Sequence, residues 1–175
     1  SESDEASEKN PYVLMKSENG IYSPVVSDGE SVAKNGAANE ISVNAQKYFD
    51  ENGYNAFCLD TKSKKKVLYL TFDCGYENGY TEQILDVLKQ HNVKATFFIM
   101  GKWVIYPEGN REKLVEIHKR GHEVGCHSNK HNWLNHLSRK EAYLDTKQAI
   151  DSLEQCIGTK VKSYRAPAFS IGEKN

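Results

Sequence analysis

The sequence predicts an α/β protein, a parallel sheet or barrel with helices packed outside it. Two observations carry that reading. From residue 67 onward, short apolar runs suited to buried strands alternate with segments of helical periodicity. Three of those runs also end in chemistry-bearing side chains: Asp73-Cys74, the stretch His127 to His131, and Arg165-Ala166-Pro167. In parallel β/α units the carboxyl ends of the strands lie on one face, where ligands bind.

Taken in order, residues 1–10 open Ser-Glu-Ser-Asp-Glu-Ala-Ser-Glu and read as a disordered acidic tail. Such a start is what remains when a targeting segment is removed. Apolar runs between Tyr12 and Val26 flank Asn19-Gly20, a hairpin turn signal. Residues 27–39 are polar and without periodicity, a linker, and a short helix follows from Ile41 through Phe49, stopped at Asn52-Gly53. Residues 11–60 thus form an N-terminal hairpin, linker and helix, and 61–175 the part in which strands and helices alternate.

The central strand runs from Val67 to Phe72 and breaks into Asp73, Cys74 and a loop bracketed by Gly75 and Gly79. Thr81-Glu82 opens a helix with Ile84, Leu85 and Leu88 at helical spacing. Residues 95–99 make the next strand, about 110–120 a helix stopped by Gly121, and 122–127 the third strand. Ser138 and Glu141 form a capping box for the longest helix, which ends near Gly158 ahead of a fourth strand at 163–166.

Composition narrows the function. With 175 residues and a net charge of −1 from well-mixed acids and bases, a nucleic-acid partner has no support. The basic run Lys62, Lys64, Lys65, Lys66 reads as a solvated loop. No apolar run is long enough to span a bilayer, so no stable membrane insertion is expected. Four cysteines (58, 74, 126 and 156) form neither a dense disulfide framework nor a CxxC pair.

Alone, Asp73 could merely cap a turn, and His-x-x-x-His is common on surface helices. Together, the three strand ends suggest more. His127 and His131 are four residues apart, so one turn can aim both imidazoles at one point. Zn²⁺ takes nitrogen with sulfur or oxygen donors, and a third donor from the first strand end would complete a three-ligand site with one position open for water. Alternation turns Cys126 away from that site, into the helix layer.

Thr71-Phe72-Asp73-Cys74-Gly75, His127-Ser128-Asn129-Lys130-His131 and Arg165-Ala166-Pro167 resemble the first three motifs of the polysaccharide deacetylases, carbohydrate esterases with a distorted (β/α) barrel. Ala95-Thr96-Phe97-Phe98 and Gly121-His122-Glu123-Val124-Gly125 are also similar to that family. The resemblance covers about Lys65 to Phe169. With Tyr69 to Asp73 and Gly75 to Gly79, it is nearest the bacterial branch that de-N-acetylates muramic acid in peptidoglycan.

The resemblance implies hydrolytic removal of N-acetyl groups from a cell-wall glycan, by a protein that is extracellular or associated with the cell wall. Asp73 would be the general base and Arg165 its partner, keeping it ionised and oriented. Cys74, His127 and His131 would hold a divalent metal, most readily Zn²⁺. Tyr76 and Pro167 would line the pocket, and the Ala168 N–H would stabilise the oxyanion.

The chain departs from the family pattern in three places. Cys74 stands where most members place a metal-binding aspartate, and it reads either as a thiolate ligand or as a bystander. Ala168 stands where an aromatic is usual, with Phe169 one place on. The chain also stops before the later motifs, which carry the general acid, so the barrel is expected to be incomplete at the C-terminus. Two alternatives use the same residues: a catalytically impaired glycan-binding homologue and a xylan acetyl esterase.

Overall fold

The computed structural model describes residues 15–18, 21–24, 40–57, 69–105 and 109–170. The chain divides into two compact units, Ser1–Val67 and Leu68–Asn175. The expected tail at 1–10, the linker at 27–39, the lysine run and Cys58 lie outside the described residues.

In the first unit, β1 (Met15–Glu18) and β2 (Ile21–Pro24) pair antiparallel, with Glu18 opposite Ile21. Helix α1 (Glu40–Glu51) ends two residues beyond the expected Phe49, and Gly53 beyond it takes a left-handed φ of 66°. Gln46 is buried and donates its amide to the Asp50 carboxylate at 3.0 Å and the Ala56 carbonyl at 3.3 Å. Tyr48 and Phe49 pack their rings against Tyr54, 5.8 and 6.5 Å away. These bonds fold the chain after the helix back onto it.

The second unit runs β3 (Thr71–Cys74), α2 (Thr81–Gln90), β4 (Thr96–Ile99), α3 (Gly101–Ile105), α4 (Asn110–Lys119), β5 (Glu123–Cys126) and α5 (Arg139–Ile157). The strands make one parallel sheet in the order β3-β4-β5. Its register aligns Asp73 with Phe98 and Phe98 with Gly125. Leu85, Phe97, Ile99, Leu114, Ile117, Cys126 and Leu153 are buried in a core built by the sheet and its helices. Phe72 stacks on Phe97 with ring centroids 4.9 Å apart. Burial of this kind, at about 25 cal/mol per Å² of apolar surface, is what holds such short strands in place.

Helix α5 starts as the sequence predicts. The Ser138 hydroxyl accepts the Glu141 N–H, the Glu141 carboxylate accepts the Ser138 N–H, and Gly158 closes the helix in a left-handed conformation. Its buried side chains, Ala142, Ala149 and Leu153, follow helical spacing. The small Ala149 lets α3 approach closely: a Cβ on Gly101 would sit 2.9 Å from the Ala149 Cα.

Two expectations change, and one short helix is added. The fourth strand is reduced to one parallel bridge, Cys126 to Tyr164, flanked by hydrogen bonds from Cys126 N–H to the Ser163 carbonyl and from Arg165 N–H to the Cys126 carbonyl, both 2.9 Å. The central strand begins at Thr71, and the described residues 69–70 before it are not strand. Helix α3, at five residues, is too short to leave a periodicity in the sequence. Two 3₁₀ turns, Leu134–His136 and Pro167–Phe169, were equally invisible. The described strands form an open parallel sheet, and none among them closes it into a barrel. Among the described residues no helix is long and apolar enough to cross a membrane.

Candidate active site

Strand alternation decides what β3 offers to the rim. Thr71 and Asp73 face one way and are exposed, while Phe72 and Cys74 face the core. Arg165 spans the two outward side chains. Its Nη1 donates to Asp73 Oδ1 at 2.8 Å and its Nη2 to Thr71 Oγ1 at 2.9 Å. The guanidinium carbon lies 4.2 Å from the centroid of the Phe98 ring, a cation–π contact. Phe98 has room for this because its neighbour on β5 is Gly125. A Cβ there would lie 2.5 Å from the Phe98 ring and 2.7 Å from Ser163 Oγ. A glycine two strands away therefore sets the seat of the arginine that holds Asp73.

His127 follows β5 directly, is buried, and gives its N–H to the Ile99 carbonyl at 3.0 Å. Its ring Nδ1 is 2.8 Å from the Arg165 carbonyl, which can only accept. Nδ1 thus carries the proton and Nε2 keeps a free lone pair. That Nε2 lies 3.8 Å from Asp73 Oδ2, beyond hydrogen-bond range. The His127 and His131 rings are 5.0 Å apart at an interplanar angle of 69°.

The loop between them is tightly held. Gly101 and Lys102 at the start of α3 donate to the Ser128 and Asn129 carbonyls at 3.0 and 3.1 Å. The buried Asn129 gives its backbone N–H to Asp145 Oδ2 at 2.7 Å and its side-chain amide to Gln148 Oε1 at 3.0 Å, both on α5. Ser128 Oγ accepts the His131 N–H at 2.9 Å. Ser128 and His131 have φ of 63° and 60°, and Ala168 and Phe169 of 49° and 51°. Four of the five described non-glycine residues with positive φ therefore sit in the loops at the strand ends, where left-handed backbone persists only under such bracing.

Pro167 is buried, Ala168 exposed, and the Glu77 carboxylate braces the loop carrying exposed Tyr76 by accepting from Gly79 N–H at 2.7 Å and Thr81 Oγ1 at 2.6 Å. Asp73, Arg165, His127 and His131 are thus gathered at one rim. Cys74 is not. It is buried in the core, and burial, with the charges of Asp73 and Glu77, pushes its thiol up to about 12. Cys74, expected beside His127 and His131, turns its side chain to the core in this structure, on the face of β3 opposite Asp73. Among the described residues, no three His, Cys, Asp or Glu side chains form a ready cluster for a metal. Thr71, Phe98, Gly125, Asn129, Asp145 and Gln148 escaped the sequence reading as parts of the site. Only Thr71, two residues before Asp73 and so on its face, left a usable signal.

Residues 60–174 match the polysaccharide deacetylase family. The chain belongs to that family. Among its relatives is the peptidoglycan-N-acetylmuramic acid deacetylase PdaA of Bacillus subtilis, 46% identical over 78 residues, which are 45% of this chain and 28% of that protein. The solved peptidoglycan deacetylase PdaC of B. subtilis superposes with a TM-score of 0.58 at 39% identity, over 63% of this chain and 53% of that one. The B. anthracis protein BA3943, a family pseudoenzyme, superposes with a TM-score of 0.58 at 32% identity, over 63% of this chain and 38% of that one. The chain spans less than half the length of the first curated relatives it matches.

Proposed function

We propose that the protein is a metal-dependent hydrolase removing N-acetyl groups from a bacterial cell-wall glycan, N-acetylmuramic acid of peptidoglycan first and N-acetylglucosamine second. The observation that carries this is the joining of Asp73, Arg165 and His127 across three strand ends in a polysaccharide deacetylase chain. The glycan is met outside the cytoplasmic membrane, so the reading puts the protein at the cell wall or secreted. Residues 61–175 are the N-terminal part of the catalytic domain, preceded at 11–60 by a hairpin, a linker and a short helix.

His127 and His131 would hold the cation. His127 fits that role because its Nδ1 is tied to a backbone carbonyl, as ligating imidazoles usually are, leaving Nε2 to ligate. Nitrogen donors suit Zn²⁺. With the Cys74 side chain in the core, solvent oxygens would fill the remaining positions, which leaves Asp73 Oδ2 free for its part as base. When bound, such a cation supplies Lewis acidity to the amide carbonyl and acidifies water.

The protein's own groups do the rest. Arg165 holds Asp73 Oδ1, so Oδ2 remains to accept the proton of the attacking water. The Ala168 N–H serves the oxyanion of the tetrahedral intermediate, and the left-handed turn at Ala168 sets its direction. Tyr76 and Pro167 wall the pocket. Acetate release from peptidoglycan strands tests this. Asp73→Asn should lower the rate by about 10²–10⁴-fold; an undiminished rate contradicts the mechanism.

A further inference from the structure

The loop that follows His127 and carries His131 holds a backbone it would not keep alone. Ser128 and His131 both have left-handed φ, a conformation that residues with a side chain keep only where neighbours fix it. Inside the loop, the Ser128 hydroxyl accepts the His131 N–H at 2.9 Å. Further ties come from two helices, and both act on the buried Asn129. From α3, the Lys102 N–H reaches the Asn129 carbonyl at 3.1 Å. From α5, Asp145 Oδ2 accepts the Asn129 N–H at 2.7 Å, and Gln148 Oε1 accepts its side-chain amide at 3.0 Å.

Asp145 is ill suited to the helix it belongs to. It lies beyond the first turn of α5, where a carboxylate no longer gains from the helix dipole, and aspartate is a weak helix former. It is also half-buried, so its carboxylate gives up solvent. The bond to Asn129 offsets this, because a charged acceptor makes a hydrogen bond roughly twice as strong as a neutral one. Asp145 and Gln148 share a helix face with Ala149, whose small side chain lets Gly101 and Lys102 close on the same loop. Without Asp145 the Asn129 N–H would be a buried donor lacking an acceptor, and the loop would give way to relieve it.

We propose that Asp145, backed by Gln148, is a positioning residue that sets how tightly His127 and His131 hold a divalent cation. It acts through Asn129, by keeping the loop between the two imidazoles in its left-handed form before any cation arrives. Order established in advance is not subtracted from binding. The inference rests on the deacetylase reading and deepens it: part of the metal affinity is assigned to a helix from which the mechanism takes no reacting group.

Zinc titration by calorimetry, on the wild-type chain and three variants, tests this. Asp145→Ala should weaken zinc binding by about 10–100-fold, the usual effect of removing a partner behind a metal ligand. Asp145→Asn keeps an oxygen acceptor on the same stem and should stay within about threefold of wild type. Gln148→Ala, at an exposed position, should weaken binding by about three- to tenfold. Amide exchange with a chelator present gives a readout free of metal. In Asp145→Ala the Asn129 and His131 N–H groups should exchange at least about tenfold faster, while the amides of β4 keep their wild-type protection. Wild-type zinc affinity in Asp145→Ala, or an Asp145→Asn as weak as Asp145→Ala, overturns the positioning role and leaves the deacetylase reading standing. Should Asp145→Ala lose protection across β4 as well, Gln148→Ala decides, and wild-type affinity in it overturns the proposal. A wild-type chain that binds no zinc overturns both.

Discussion

At Asp73 the two carboxylate oxygens are differentiated: Oδ1 is bonded to Arg165, and Oδ2 lies toward His127 without a hydrogen bond to it. Arg165 achieves this by reaching Thr71 and Asp73 together from a seat on Phe98, a geometry that needs a planar fork. Lysine has no fork. Arg165→Lys should therefore lower kcat by about 10²-fold with the melting temperature little changed, because misplacing a base by an ångström costs that much. A variant with wild-type kcat would show that the pairing is ornamental. Cys74 gives a separate check. With its thiol pushed up to about 12 and buried, it should resist iodoacetamide in the folded protein at mildly alkaline pH and react once the chain is unfolded. Mass spectrometry of the alkylated protein reads this directly. The residue scale also shows which placements could be read from the sequence. Asp73, His127, His131 and Arg165 were legible because strand ends expose polar side chains on one face. Alternation turns the Cys74 side chain, like that of Cys126, into the core.

At the scale of elements, β4 and β5 act as a support for the candidate site. Gly125 leaves the volume that Phe98 fills, and Phe98 carries Arg165. Gly125→Ala should destabilise the fold by about 1–3 kcal/mol through overpacking, and should also reduce activity in whatever fraction remains folded. Denaturant melts and kcat per folded molecule separate the two effects. At the other end of the sheet, buried His122 accepts the Ala95 N–H on Nδ1 at 3.2 Å. Burial, with the charges of Lys94 and Arg120, lowers its pKa. As pH falls through the ordinary histidine value of about 6.5, the unfolded chain takes up a proton that the folded chain resists. Stability is thus full above that value and is lost below it. The melting temperature should fall between about pH 7 and about pH 5, and His122→Gln should flatten that slope. None of this support was legible: Asp145 reaches Asn129, and Gly125 makes room for Phe98, only after helix and sheet have docked. Pattern within one segment does not record such contacts.

Across the whole molecule, the alternating order of strands and helices was legible because each element satisfies its own periodicity. The fourth strand was not, since a single bridge at Tyr164 replaces the ladder its composition suggested. The candidate site then emerges from parallel register, which brings residues 73, 127 and 165 together from segments far apart in sequence. If His127 and His131 hold a cation there, ligand linkage should raise the melting temperature of the wild type, by an amount equivalent to about 2.7 kcal/mol at a hundredfold excess over Kd. The most direct measurement is a calorimetric titration of the chain with Zn²⁺, beside His127→Ala and His131→Ala. One equivalent should bind the wild type, and each variant should bind at least about 100-fold more weakly. Equal zinc affinity in all three proteins would contradict the site described above.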